Sequence, residues 1–220
     1  MIRNSILTSS FILSIAALGS ATSGAQVREA VAAVTKTDVA VSLYGAFNGT
    51  TNGNGTTQSP SNAAGGLIEV RHIVNPIIGY EGTYSFNRAN QTYSSYNQAC
   101  PVDVTPPCAS SPVAAVSADA HEVTGNWVAS VKFANLRPFA LAGGGLLFNQ
   151  PSGSQTNTTS STKGVFDYGA GLDWRVLPHL GLRFQFRGNL YKAPDLTKLY
   201  TSTGAFTHTS EPMIGVYFRL

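Results

Sequence analysis

Polar and apolar residues alternate through most of this chain, and the alternation restarts after each turn. Near the C-terminal end, Ile214, Val216, Phe218 and Leu220 share one side of an extended strand, with Met213, Gly215, Tyr217 and Arg219 on the other. Residues 180–192 set Leu180, Leu182, Phe184, Phe186 and Leu190 against Arg183, Gln185, Arg187 and Asn189. Residues 164–176 set Phe166, Tyr168, Ala170, Leu172 and Trp174 against Asp167, Gly169, Gly171, Asp173 and Arg175. The period of two runs through eight segments, at 38–48, 64–74, 77–87, 121–133, 139–148, 164–176, 180–192 and 207–220.

The links between the segments come in two lengths. Short turns marked by Asn75-Pro76, Asn135-Leu136-Arg137-Pro138 and Leu177-Pro178-His179 follow the even segments. Long links rich in Asn, Gly, Ser and Thr, near 49–63, 87–120, 149–163 and 193–206, follow the odd ones. Tilted membrane-spanning strands need ~9–11 residues, and long outer loops alternating with short periplasmic turns are the pattern of outer-membrane barrels. The prediction is an all-β fold, an eight-stranded antiparallel up-and-down transmembrane β-barrel over 38–220, with the long links on the outside.

The charges decide which face meets lipid. Six acids (Glu69, Glu81, Glu122, Asp167, Asp173, Glu211) and six bases (Arg71, Lys132, Arg175, Arg183, Arg187, Arg219) fall on the polar faces. An eight-stranded barrel is just wide enough inside for side chains to fill it. The twelve groups are therefore expected to pair into a closed interior network, because a lone buried charge costs several kcal/mol. A soluble lipocalin-like ligand-binding barrel is the reverse arrangement, with apolar faces inside. Its lumen would have to hold Tyr80, Tyr84, Phe86, Trp127, Phe133, Phe166, Trp174, Phe184, Phe186 and Phe218, which overfill it. Tyr44, Tyr84, Trp127 and Trp174 lie toward segment ends, where aromatic girdles form.

Composition narrows the class further. Charged residues make up 11% of the chain, against ~25% in soluble domains. The net charge of +3, spread without runs, does not suit nucleic acid. Residues 1–25 read as a secretory signal peptide: Arg3, an apolar run at 11–18, and small residues at Ser23-Gly24-Ala25. Residues 26–37 form a short lead. Cys100 and Cys108, flanked by Pro101, Pro106 and Pro107, are predicted to form one disulfide in an oxidising compartment. A metal site there lacks a nearby His or third Cys.

The stretches Tyr168-Gly169-Ala170-Gly171-Leu172-Asp173-Trp174, Leu180-Gly181-Leu182-Arg183-Phe184-Gln185-Phe186-Arg187 and Gly215-Val216-Tyr217-Phe218 resemble the small outer-membrane β-barrel families. These include the OmpA-like transmembrane domain and the opacity-like surface antigens. The resemblance implies residence in a bacterial outer membrane and contact with its lipid and lipopolysaccharide. It also implies insertion by the barrel assembly machinery. Family members usually end in an aromatic residue; here Leu220 is last and Phe218 stands two places earlier. A monomer is expected, and the extracellular ligand is left open.

One constellation invites a catalytic reading. His208 and Ser210 share a strand face, as in the His-x-Ser pair of outer-membrane lipid A deacylases, but Glu211 replaces the following Asn and points to the other face. Gly143-Gly144-Gly145 lacks the Lys-Ser/Thr ending of a phosphate loop and reads as relief of crowding in a strand. His72 and His121 lack ligand spacing. The reading is therefore a structural or surface-interacting barrel, not an enzyme, with no catalytic residue, cofactor or metal. A lipid A-modifying hydrolase on the same scaffold, or a soluble lipocalin-like barrel, are the alternatives.

Overall fold

The computed structural model describes residues 37–95, 111–153, 157–198 and 202–220. The predicted signal peptide, most of the lead, and the predicted Cys100–Cys108 disulfide lie outside the described residues. Ten strands follow in order: β1 (Thr37–Asn48), β2 (Thr51–Gly53), β3 (Thr56–Pro60), β4 (Ala63–Ile73), β5 (Ile78–Ser95), β6 (Ser111–Ser130), β7 (Leu136–Pro151), β8 (Ser161–Arg175), β9 (Leu180–Lys192) and β10 (Phe206–Arg219). From β4 to β10 each strand pairs antiparallel with the next, and β1 pairs with both β4 and β10. Eight strands thus close into a barrel with no open edge, as the alternation predicts. The remaining two, β2 and β3, form a hairpin added to the outer part of β5.

The period of two sorts the faces. Leu43, Trp127, Phe184, Phe186, Val216 and Phe218 are exposed around the outside, Leu43 and Trp127 by 70% and 69%. Arg71, Arg183 and Arg187 are fully buried in the lumen. A wall of exposed apolar side chains circling the molecule is tolerated only where lipid, not water, is the solvent. This is the opposite of a lipocalin-like arrangement. Tyr44 departs from the expected girdle: it is 4% exposed and faces inward. Its parity explains this, since it shares a side with Asp38, Ala40 and Ser42, all buried.

Rings inside the barrel gain room from glycine. Tyr44 pairs across the ladder with Gly65, Phe139 with Gly171 and Tyr217 with Gly181. A Cβ built on these glycines would stand 2.3–2.4 Å from the facing ring. Each ring therefore lies over the bare backbone of the neighbouring strand, filling the lumen without spreading the barrel. At Gly143 and Gly145 a Cβ would meet the carbonyl oxygens of Gly125 and Val123 at 2.1 and 1.9 Å. These two β7 glycines allow a close approach of backbone to backbone.

Three links at one end are short: 74–77, 131–135 and 176–179. In the first, Asn75 Oδ1 accepts the backbone N–H groups of Ile77 and Ile78 at 2.9 and 2.8 Å. The other end is far larger. Strands β5, β6 and β7 run 18, 20 and 16 residues, well past the ~9–11 that a bilayer needs. Residues 88–95 and 111–120, expected in a loop, instead continue the β5–β6 ladder. The expected loop at 49–63 holds the β2–β3 hairpin, turned by Asn54 and Gly55 at φ 49° and 71°. Asn-Gly is the strongest short hairpin signal. Polar composition hid these strands, because above the membrane no apolar outer face marks the period.

Candidate functional site

The lumen holds two ionic layers. In the layer toward the short turns, Arg71 from β4 donates through Nε and Nη2 to Glu81 Oε2 (2.8 and 2.5 Å) and through Nη1 to Asp173 Oδ2 (3.3 Å). Arg183 from β9 forks onto Asp173 with bonds of 2.6 and 2.9 Å, and its Nη1 pairs with Glu69. The Phe139 ring lies 4.0 Å from the Arg71 guanidinium and 5.5 Å from that of Arg183, whose other neighbour is the Tyr217 ring at 5.3 Å. Planar guanidinium groups suit this setting, since they fork onto carboxylates and stack on rings. At the mouth, Arg219 bonds Asp38 at 2.9 and 3.4 Å. Half-buried Arg137 stands beside these groups.

In the second layer, Arg187 bonds Asp167, Thr124 Oγ1 (3.2 Å) and Glu122 Oε1 (3.5 Å). Asn126 donates to Asp167 at 2.7 Å, and Asn189 Nδ2 donates to both oxygens of Glu122 at 3.3 and 3.1 Å. Glu211 is buried on the same level, where its β10 position pairs with Arg187 of β9. Above this layer lies a cavity of about 30 Å³ lined by Asn48, Gln91, Glu122, Asn149, Asn189 and Glu211, among others.

The first residues of the last long link pack on the outer parts of β3 and β5. Pro194 O accepts from Tyr93 Oη (2.9 Å) and Gln58 Nε2 (3.1 Å), and Leu196 N–H donates to Tyr93 Oη (3.1 Å). Tyr93 and Leu196, both 0% exposed, pack with Val116 and Ala118 into a small core. The same segment bonds the 152–160 link through Thr159 N–H to Leu196 O (3.0 Å) and Lys198 N–H to Asn157 O (2.9 Å). Asn54 Nδ2 holds Ser202 O at 3.0 Å. Pro194, Leu196, Lys198 and Ser202 thus contact the β2–β3 hairpin, β5 and residues Asn157 and Thr159 at the outer end of the barrel.

Of the twelve charges expected to pair, the structure places Glu69, Arg71, Glu81, Asp173 and Arg183 in the first layer, and Glu122, Asp167, Arg187 and Glu211 in the second. Arg219 sits at the mouth. Lys132 is exposed, because β6 ends at Ser130 and the residue falls in the turn beyond the rim. Arg175, the last residue of β8, is half-buried at the rim and donates to Asn135 Oδ1 at 3.0 Å. Asp38 and Arg137 are additional members; each shares strand parity with inward residues, Asp38 with Ala40 and Arg137 with Phe139.

The His208, Ser210 and Glu211 group does not converge. His208 Nε2 and Tyr168 Oη are 2.9 Å apart on the outer surface, whereas Glu211 is buried in the lumen. Each histidine instead lies against an aromatic ring: His72 with Tyr80, His121 with Tyr84 and Phe86, His179 with Phe218, and His208 with Tyr168. His121 also shares a 2.8 Å hydrogen bond with Tyr84 Oη. These are girdle positions at the two ends of the apolar band.

The sequence matches the family model for the outer membrane protein beta-barrel domain over residues 13–209. The chain belongs to this family. Its place is the bacterial outer membrane. The barrel is similar to neisserial surface protein A, at 12% identity and TM-score 0.56, covering 84% of this chain and 97% of that one. It is also similar to OprG of Pseudomonas aeruginosa, at 9% identity and TM-score 0.53, covering 83% and 95%. Ail of Yersinia pestis aligns at 17% identity and TM-score 0.48, covering 84% and 99%. No curated protein matches the chain. At these identities the similarity is one of fold.

Proposed function

We propose that this protein is a non-catalytic outer-membrane barrel whose function is surface interaction through its outer extension. One observation carries the reading: β5, β6 and β7 continue far beyond the apolar band and gain a buried core and a tied-down segment of their own. A barrel that served only as a membrane anchor needs none of this. The lumen supports the reading as well, since its width is taken up by paired buried side chains, and wide aqueous channels need 16–18 strands.

The test compares the full protein with a variant in which the outer parts of β5 and β6 are replaced by a short turn. Both should migrate differently when boiled and unboiled, showing an intact barrel. Cells displaying the full protein should adhere to surfaces or to one another, and cells with the trimmed variant should not. Equal adhesion by the two would reject the proposal, as would solute flux through the purified barrel in liposomes. Ser210→Ala should leave lipid A acylation unchanged.

A further inference from the structure

The two ionic layers differ in charge balance. The layer toward the short turns, with its mouth, holds Asp38, Glu69, Glu81 and Asp173 against Arg71, Arg137, Arg183 and Arg219, four against four. The second layer holds Glu122, Asp167 and Glu211 against Arg187 alone. Half-buried Lys163, further up β8, forms no salt bridge with them. Buried carboxylates are normally matched by cations, because the low dielectric makes each uncompensated charge costly. Arg187 is shared between Asp167 and Glu122, Glu211 has no salt bridge among the described residues, and the layer holds two more carboxylates than cations.

The unmatched groups surround a space. Glu122 and Glu211 both line the 30 Å³ cavity. So do Asn48, Gln91, Asn149, Asn189 and Thr209, a set rich in side-chain oxygens. Glu211 Oε2 and Asn189 Oδ1 have no hydrogen-bond partner, although the residues are 3% and 1% exposed. About 10–15 Å³ admits one water-sized particle, so this space suits an ion with a retained water. Among the described residues no three His, Cys, Asp or Glu side chains gather as a ligand set. The donors here are two carboxylates plus amide and hydroxyl oxygens. Such an oxygen-only, irregular set suits Ca²⁺, which accepts 6–8 oxygens in flexible geometry, better than Mg²⁺, which demands an octahedron.

We infer that the chamber lined by Glu122 and Glu211 is a binding site for a divalent cation of the calcium type, held by these two carboxylates with amide oxygens of neighbouring strands. The ion would neutralise the second layer and join β6, β9 and β10 at the level where the membrane barrel gives way to the outer extension.

Tyr191 lines the same cavity, which supplies a probe. The full chain is refolded in detergent with Ca²⁺, Mg²⁺ or a chelator, and Tb³⁺ luminescence is read on tyrosine excitation. The expected results are sensitised Tb³⁺ emission displaced by Ca²⁺, and a thermal midpoint that rises with Ca²⁺ by mass action but not with NaCl of equal ionic strength. Glu122→Gln combined with Glu211→Gln should abolish the emission, while Asp119→Asn, which removes a carboxylate on the outside of the barrel, should leave it unchanged. Emission that survives in the double variant would place the ion elsewhere and overturn the inference. A wild-type midpoint indifferent to Ca²⁺, with no sensitised emission, would overturn it too, whether or not the double variant folds, by showing that protons alone neutralise the layer.

Discussion

The two halves of the β5–β6 hairpin obey opposite rules. In the membrane half, Tyr80, Tyr84 and Phe86 face outward and Glu81, Thr83 and Ser85 face inward. In the outer half, Arg88 and Asn90 face outward, while Ala89 and Tyr93 are buried inside. The ladder continues from one half to the other, with a single register shift near Tyr93. What changes is the solvent. In lipid, polar groups gather inside and apolar ones face out; in water, apolar groups are buried and polar ones face out. The crossover falls between Phe86–His121 and the Arg88–Asp119 ion pair, with bonds of 2.5 and 3.0 Å. Those two rungs mark the outer boundary of the membrane.

The comparison is broken most strongly by removing a lumen cation. Arg183→Met leaves Asp173 and Glu69 with one partner fewer, at 0% exposure of the arginine. Removing one partner of a buried ion pair costs about 3–5 kcal/mol. The expected outcome is a large drop in the urea midpoint of the refolded barrel. Arg88→Met, on the outer half, should leave that midpoint unmoved. A small loss for Arg183→Met would show that water enters the lumen and screens the layer.

The second break reverses the lipid face. Phe186 is an outward residue in the middle of β9. Arginine at the bilayer midplane of a barrel costs about 2–4 kcal/mol. Phe186→Arg should lower stability by that amount in liposomes, whereas Asn90→Arg, outward but above the boundary, should be silent. Equal effects at the two sites would move the boundary.

This boundary also explains how far the sequence could be read. Within the membrane the pattern has high contrast, and strand β9 is legible to its ends: Leu180 to Lys192 alternates with one fault, at Gly188, whose outward side is covered by Tyr168 and His208. The lumen charges follow from the same parity, and the exceptions fall at the rim. Lys132 keeps the parity but lies past the end of β6, where water reaches it. Asp38 is the second residue of β1, where Thr35, Lys36 and Thr37 precede it and the alternation has only just begun. Above the boundary the contrast is lost. The outward residues there include Arg88, Asn90 and Ser117, and the inward ones include Gln58, Gln91 and Ala118, so composition resembles that of a loop on both faces. The pairing of Tyr93 with Pro194 and Leu196 joins residues about a hundred positions apart, beyond what any local period conveys.

A smaller effect is expected from the core of the outer half. Leu196 is 0% exposed against Tyr93, Val116 and Ala118. Leu→Ala in a core costs at least about 2 kcal/mol, and the low end applies where a surface segment can collapse. Leu196→Ala should speed proteolysis within 193–205 while leaving the boiled-versus-unboiled gel shift intact. That result would show that the extension opens independently of the barrel. Loss of the gel shift would instead make the two halves one cooperative unit.

The smallest effect belongs to the pair at the boundary itself. The Arg88 hydrogen bond holds the Asp119 carboxyl below its ordinary value, with burial acting weakly the other way. A carboxyl depressed in the folded state contributes stability above its unfolded pKa of about 3.9, and that contribution is lost as pH falls through the lower folded value. Both side chains are open to solvent, so salt should weaken the pair as acid does. Amide exchange near 88 and 119 should therefore be faster in Asp119→Asn than in wild type at neutral pH. The difference should close as pH falls through the lowered folded value, and also in molar salt. If the difference persists in molar salt, the two side chains hold the rung by packing over Phe86 and His121, and the membrane boundary is set by those rings, not by the ion pair.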